Sequence, residues 1–160
     1  MNKNKHSHDE EMKPDVKVFS LAYLQRAKLS FALTMPVILI MILPAILLDI
    51  SATIYQYINF TAYKIPKVKR SEYIVIDRHH LKYLNFLEKF FCLYCGYFNG
   101  VIAYVREVGA KTEEFWCPIK HAQRGKFEHH RYHKYLEYGD SEDYYEKRKE
   151  IRNKLKKEKV

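Results

Sequence analysis

The sequence predicts an all-α, membrane-anchored protein: one transmembrane or re-entrant helix, then interfacial and cytoplasmic amphipathic helices. Three observations predict it. Phe31 to Leu48 carries no charge and as a helix spans about 27 Å, close to a bilayer's hydrocarbon thickness. The uncharged text continues past Asp49 to Tyr63 with several aromatic rings. Downstream, apolar residues recur every three or four positions, the period of a helix with one buried face.

Residues 1–15 mix Lys3, Lys5, His6, His8 and acidic residues without apolar periodicity, so a mobile tail is expected there. Residues 16–63 form the anchor. It opens with an amphipathic lead-in, Val16 to Leu29, suited to a membrane surface. In the span itself, Pro36 and Pro44 are expected to kink the helix, which membrane segments tolerate better than soluble ones. The run starts too far into the chain, and lacks a small-residue cleavage site, to be read as a removed signal sequence.

A straight helix from Phe31 to Tyr63 is near 50 Å long, so the second half is expected to bend out and follow the headgroups with Tyr55, Tyr57, Phe60 and Tyr63. Asp49 marks that boundary. A re-entrant hairpin turning near Pro44 or Asp49 is the alternative topology. Lys64, Lys67, Lys69, Arg70, Arg78 and Lys82 make the flank after the span the denser basic one, which places the carboxyl-terminal part in the cytoplasm.

Residues 64–125 are expected to be a cytoplasmic or membrane-apposed helical domain. Asp77 is the expected cap of a helix bearing Leu81, Leu84, Leu87 and Phe91, and Gly96 and Gly100 should interrupt or loosen the next segment. Phe90 to Val105 is uncharged but short for a second span, and it comes directly after Glu88 and Lys89. Residues 126–160 read as a charged helical tail with too few apolar anchors for a core of its own.

The net charge of +9 favours anionic partners, headgroups of the lipid bilayer first and another membrane protein beside them. Nucleic acid is disfavoured because basic and acidic residues of the tail are intermixed. Three cysteines cannot all pair internally, which argues against a disulfide scaffold. The main chemical constellation is Cys92-x-x-Cys95 followed by Cys117-x-x-x-His121. Each pair shares a helix face, with Pro118 in the favoured first position of a helix beginning after Cys117. If the two helices pack antiparallel, three thiolates and one imidazole surround a zinc ion; iron or an iron–sulfur cluster is the alternative, as is plain packing of thiols. Asp77-Arg78-His79-His80, Glu113 with Glu114, and His129-His130 with His133 are weaker proton-transfer or ligand groups.

Residues Tyr63 to Arg70, Tyr73 to Asn85, Cys92 to Glu107 (CxYCxYxNGxIAYxRE) and Trp116 to Ala122 (WCPIKHA) resemble a family of small uncharacterised bacterial membrane proteins. The likeness covers roughly Asp49 to Arg124. It implies a bacterial inner-membrane setting and brings no activity. Lys64 stands where the first motif has glycine. The resulting expectation is a membrane-anchored accessory or interaction protein with a cytoplasmic Cys/His site, and the enzyme alternative is a thiol- or metal-dependent membrane oxidoreductase.

Overall fold

A computed structural model describes residues 29–123, 125–126 and 128–158; the expected tail and lead-in lie outside these. Among the described residues the chain is helical and forms no strand. The five helices are α1 (Leu29–Ile40), α2 (Ile42–Tyr63), α3 (Arg70–Tyr73), α4 (Phe86–Trp116) and α5 (Tyr144–Lys157), with short 3₁₀ turns at Arg78–His80 and Tyr132–Lys134.

The apolar helix breaks once, at Met41. Pro44 is the cause: it lacks an N–H, and its ring crowds the carbonyl four residues back, at Ile40. Bonds from Met41 N to Ile38 O (3.3 Å) and from Ala45 N to Met41 O (3.4 Å) carry the chain across. From Leu33 to Tyr63 the segment is long and apolar enough to cross a membrane, and most of its surface is not covered by the rest of the molecule. Neither Asp49 nor Pro36 interrupts it. The expected bend after Asp49 is absent: Ile42–Tyr63 is one helix, and Ala45, Asp49, Gln56 and Phe60 lie buried along one stripe of it.

That stripe faces α4. Asp49 meets Tyr97, Gln56 meets Tyr104, and Tyr63 meets Phe115 and Trp116, so the two helices run parallel. Parallel neighbours require a return crossing, which residues 64–85 supply. Its first turn is left-handed at Lys64 (φ 57°), with Ile65 N bonded to Phe60 O at 2.8 Å and Lys64 N to Thr61 O at 3.3 Å. This is the helix-ending motif that usually takes glycine, and lysine occupies it at a backbone cost of about 1 kcal/mol.

The returning backbone then presses on α4 where that helix has no side chains. A Cβ at Gly100 would stand 2.8 Å from Tyr73 O and 2.9 Å from Ile74 Cα. Gly96 and Gly100 therefore do not loosen α4, which runs unbroken from Phe86; they clear a track for the crossing chain. Helix α4 also starts later than the sequence suggested. Asn85 caps it, accepting from Glu88 N (2.8 Å), while the Glu88 carboxylate accepts from Asn85 N (2.9 Å). Asp77 makes no side-chain cap and introduces only the turn Arg78–His80.

Phe60, Ile65, Val68, Tyr104, Val108, Phe115 and Leu155 form the core. Leu155 comes from α5, a helix otherwise exposed or half-buried, and ties it to this core. Arg152 secures it by donating to Phe115 O at 2.6 Å and covering the Phe115 ring. A parallel bridge, Ile119 with Leu136, ties the intervening loop. The expected helix after Cys117 is not formed; Cys117 ends α4, and Pro118 enters this extended bridge.

Candidate functional site

Because α4 is one continuous helix, the four expected ligands are not gathered. Cys95 and Cys117 are 22 positions apart, about 33 Å at helical rise. Cys92 is half-buried and Cys95 exposed near the start of α4, whereas Cys117 is exposed beyond its end. His121 lies beyond Cys117, its side chain 72% exposed. One ion cannot take ligands from both ends of this helix within a single chain. Among the described residues no group of three or more His, Cys, Asp or Glu is arranged to hold a metal ion.

What the structure does assemble lies around the last turns of α4. Glu113 places Oε2 3.1 Å from His129 Nε2 and Oε1 3.9 Å from His121 Nε2. An ionised carboxylate only accepts, so the short contact puts the His129 proton on Nε2. The His129 side chain is 15% exposed, its Nδ1 has no partner among the described residues, and its ring packs against Tyr132 and Tyr135. Cys117 is one turn away, its N–H bonded to Glu113 O at 2.8 Å. A carboxylate-oriented imidazole of this kind can hold or relay a proton. Of the expected residues, Cys117, His121, Glu113 and His129 share this end of the molecule; Cys92 and Cys95 do not.

Below that pair is a buried cation among carboxylates. Arg131 donates from Nε to Glu107 (2.7 Å), from Nη1 to Glu114 (2.8 Å), and approaches Glu158 from Nη2 at 3.0 Å. Lys134 adds a 2.8 Å bond to Glu158. Burial alone would raise the Glu158 carboxyl, but hydrogen bonds from Arg131 and Lys134 outweigh it and hold the group at about 2. Burial works against the Arg131 charge too, and the three carboxylates reverse the balance, raising its pKa. Lys111, beside this cluster, has its pKa lowered by burial and by Arg131, and donates to Pro66 O at 3.0 Å. Tyr135, its OH on Ala110 O, is pushed well above the ordinary phenol by burial and by Glu113. The network unites α4, the Tyr132–Lys134 turn and the end of α5. Sequence reading missed it because the bonds of Arg131 join residues 17 to 27 positions apart, a separation that no local spacing betrays.

A second buried polar group lies on α2. Arg70 makes two bonds to Asp49, and Tyr97 OH donates to Asp49 Oδ2 at 2.9 Å. Gln56 serves as a surrogate peptide: it accepts from Val68 N (2.9 Å), and its amide nitrogen lies 3.2 Å from Val68 O and 2.6 Å from Tyr104 OH. These bonds make the apolar helix α2 an integral part of the fold. The His79 and His80 rings lie 3.8 Å apart, tilted by 42°, on the exposed Arg78–His80 turn. Comparison with protein families, curated proteins and solved structures finds no match to this chain.

Proposed function

We propose that this chain is a membrane-anchored accessory or interaction protein of the bacterial inner membrane, with its carboxyl-terminal region on the cytoplasmic side and the return segment and start of α4 apposed to the membrane. The single observation that supports the reading is the division of the Leu33–Tyr63 segment into two surfaces. Only 11% of its most apolar stretch is buried inside the molecule. The buried remainder is polar at Asp49 and Gln56 and makes specific bonds to the return segment and α4. Leu33, Val37, Leu43, Leu47, Ile50, Ile54 and Ile58 are left facing outward. Water does not favour so long an exposed apolar face; lipid does. The setting and orientation rest on the basic flank Lys64 to Arg70 and on the resemblance described above.

Zinc shared by Cys92, Cys95, Cys117 and His121 of one chain is not part of this reading, since the length of α4 separates them, and iron ligation by the same set meets the same obstacle. Flotation of the full chain with liposomes, followed by alkaline carbonate, tests the anchor. Retention in the lipid fraction is expected; release of a monodisperse, detergent-free protein overturns it.

A further inference from the structure

The sequence singled out Asp77 to His80 and the start of the next helix, and the function above does not use them. The structure turns this region into a shallow cleft of about 460 Å³ between the Arg78–His80 turn and α4, lined by Ile76, His79, Phe86, Lys89, Phe90 and Leu93. Its walls are apolar and its rim is cationic. Phe86 is 79% exposed, an extreme value for a phenylalanine, and the neighbouring Val75 and Tyr83 are exposed as well. Glu88 lies on the same turn, but its carboxylate is turned back onto Asn85 N, which leaves Lys89 as the charge at the cleft.

The cleft is joined to the anchor. Tyr94 OH donates to Ile38 O at 2.5 Å, so the first turns of α4 stand beside the junction of α1 and α2. When the outward face of α1 is in lipid, Phe86 and Phe90 are carried to the same bilayer surface. Aromatic rings next to lysine, arginine and histidine are the composition that settles at the headgroup level.

We infer that the cleft between the Arg78–His80 turn and the start of α4 binds an anionic phospholipid, with an acyl chain against Ile76, Phe86, Phe90 and Leu93 and the phosphate beside Lys89 and His79. The inference rests on the membrane-anchor reading and adds a specific lipid contact to it. A single lysine at an anionic surface contributes about 1 kcal/mol, or roughly a fivefold preference over a zwitterionic lipid.

The test uses the full chain in a Trp116→Phe background, carrying either Phe86→Trp or, as a control on α5, Tyr145→Trp at an exposed site. The proteins are reconstituted in phosphatidylcholine vesicles containing phosphatidylglycerol, with one or the other lipid brominated on its acyl chains. Expected are strong quenching for Phe86→Trp, none for Tyr145→Trp, and a relative association constant near fivefold for phosphatidylglycerol that falls toward one with Lys89→Gln. If the protein floats with the vesicles but Phe86→Trp is quenched no more than Tyr145→Trp, or shows no preference for the anionic lipid, the cleft assignment is overturned and the anchor stands. If it does not float, the anchor reading fails and the cleft assignment goes with it.

Discussion

Arg70 holds Asp49 by two bonds, Nε to Oδ1 at 2.8 Å and Nη2 to Oδ2 at 2.6 Å, across 21 positions of sequence. The pair joins α2 to α3, the first short helix of the return segment. It is unevenly exposed: Asp49 is buried, while the Arg70 side chain retains nearly half its surface. Removing the arginine strands a buried carboxylate, whereas removing both partners does not. Arg70→Met is therefore expected to lower stability by about 2 to 3 kcal/mol, and Asp49→Leu with Arg70→Met by clearly less. Thermal unfolding of the single and double variants in one detergent checks this; additive losses would show that the pair is not coupled.

Gly100 tests the crossing of the return segment over α4. A methyl group there meets backbone atoms of Tyr73 and Ile74, which cannot swing aside as a side chain end would. Gly100→Ala should cost about 1 to 3 kcal/mol through overpacking. Gly109→Ala meets nothing within 4 Å and should be neutral or stabilise by up to about 1 kcal/mol through helix propensity. Equal melting temperatures for the two variants would contradict the crossing.

Lys64 lies in a left-handed conformation that glycine adopts without strain. Lys64→Gly is expected to stabilise the chain by about 0.5 to 1 kcal/mol, visible as a raised melting temperature, even though it removes a charge from the basic flank. A loss of stability would mean that the turn is held some other way.

Arg131 holds the carboxyl-terminal segment to α4. Arg131→Met leaves Glu107 and Glu114 buried without their main partner and should cost about 3 to 5 kcal/mol, releasing residues 128–158 to limited proteolysis before the helices are cut. The Glu158 contribution has a defined pH window. Its folded value of about 2 lies below the ordinary 4.5, so its stabilisation is complete above pH 4.5 and disappears as pH falls toward 2. Glu158→Gln should flatten stability across that window and leave the behaviour near neutrality parallel to the parent.

Spin labels on Cys95 and Cys117, in a Cys92→Ser background, should give a distance distribution centred roughly at 33 Å, the span of an unbroken helix. A distance compatible with a shared metal ion, under about 10 Å, would require α4 to fold back near Gly96 or Gly100.

Element identity was legible where local chemistry decides it. The uncharged run around Phe31 to Leu48, the four-residue spacing of Leu87 and Phe91, and the alternating charges after Tyr144 each mark a helix through hydrophobic period and propensity alone, whereas Leu81 and Leu84, read with the same period, lie before the helix begins. Boundaries were less legible. Asp77 and Asn85 are both good caps by type, but only Asn85 has a glutamate three residues later whose side chain reaches back.

Local side-chain chemistry was enough to mark the chain as mostly helical and one stretch as apolar enough to cross a membrane, because both properties depend on neighbouring residues. What each helix touches depends on the fold as a whole. Gly96 and Gly100 read as helix breakers until the Tyr73 to Val75 backbone is seen to pass over them. Arg131, Glu107, Glu114 and Glu158 look like scattered surface charges until folding brings them together. Cys92 and Cys117 look like partners until one rigid helix keeps them apart. Long-range proximity depends on how the chain returns between α2 and α4, and no periodicity within a helix records that path.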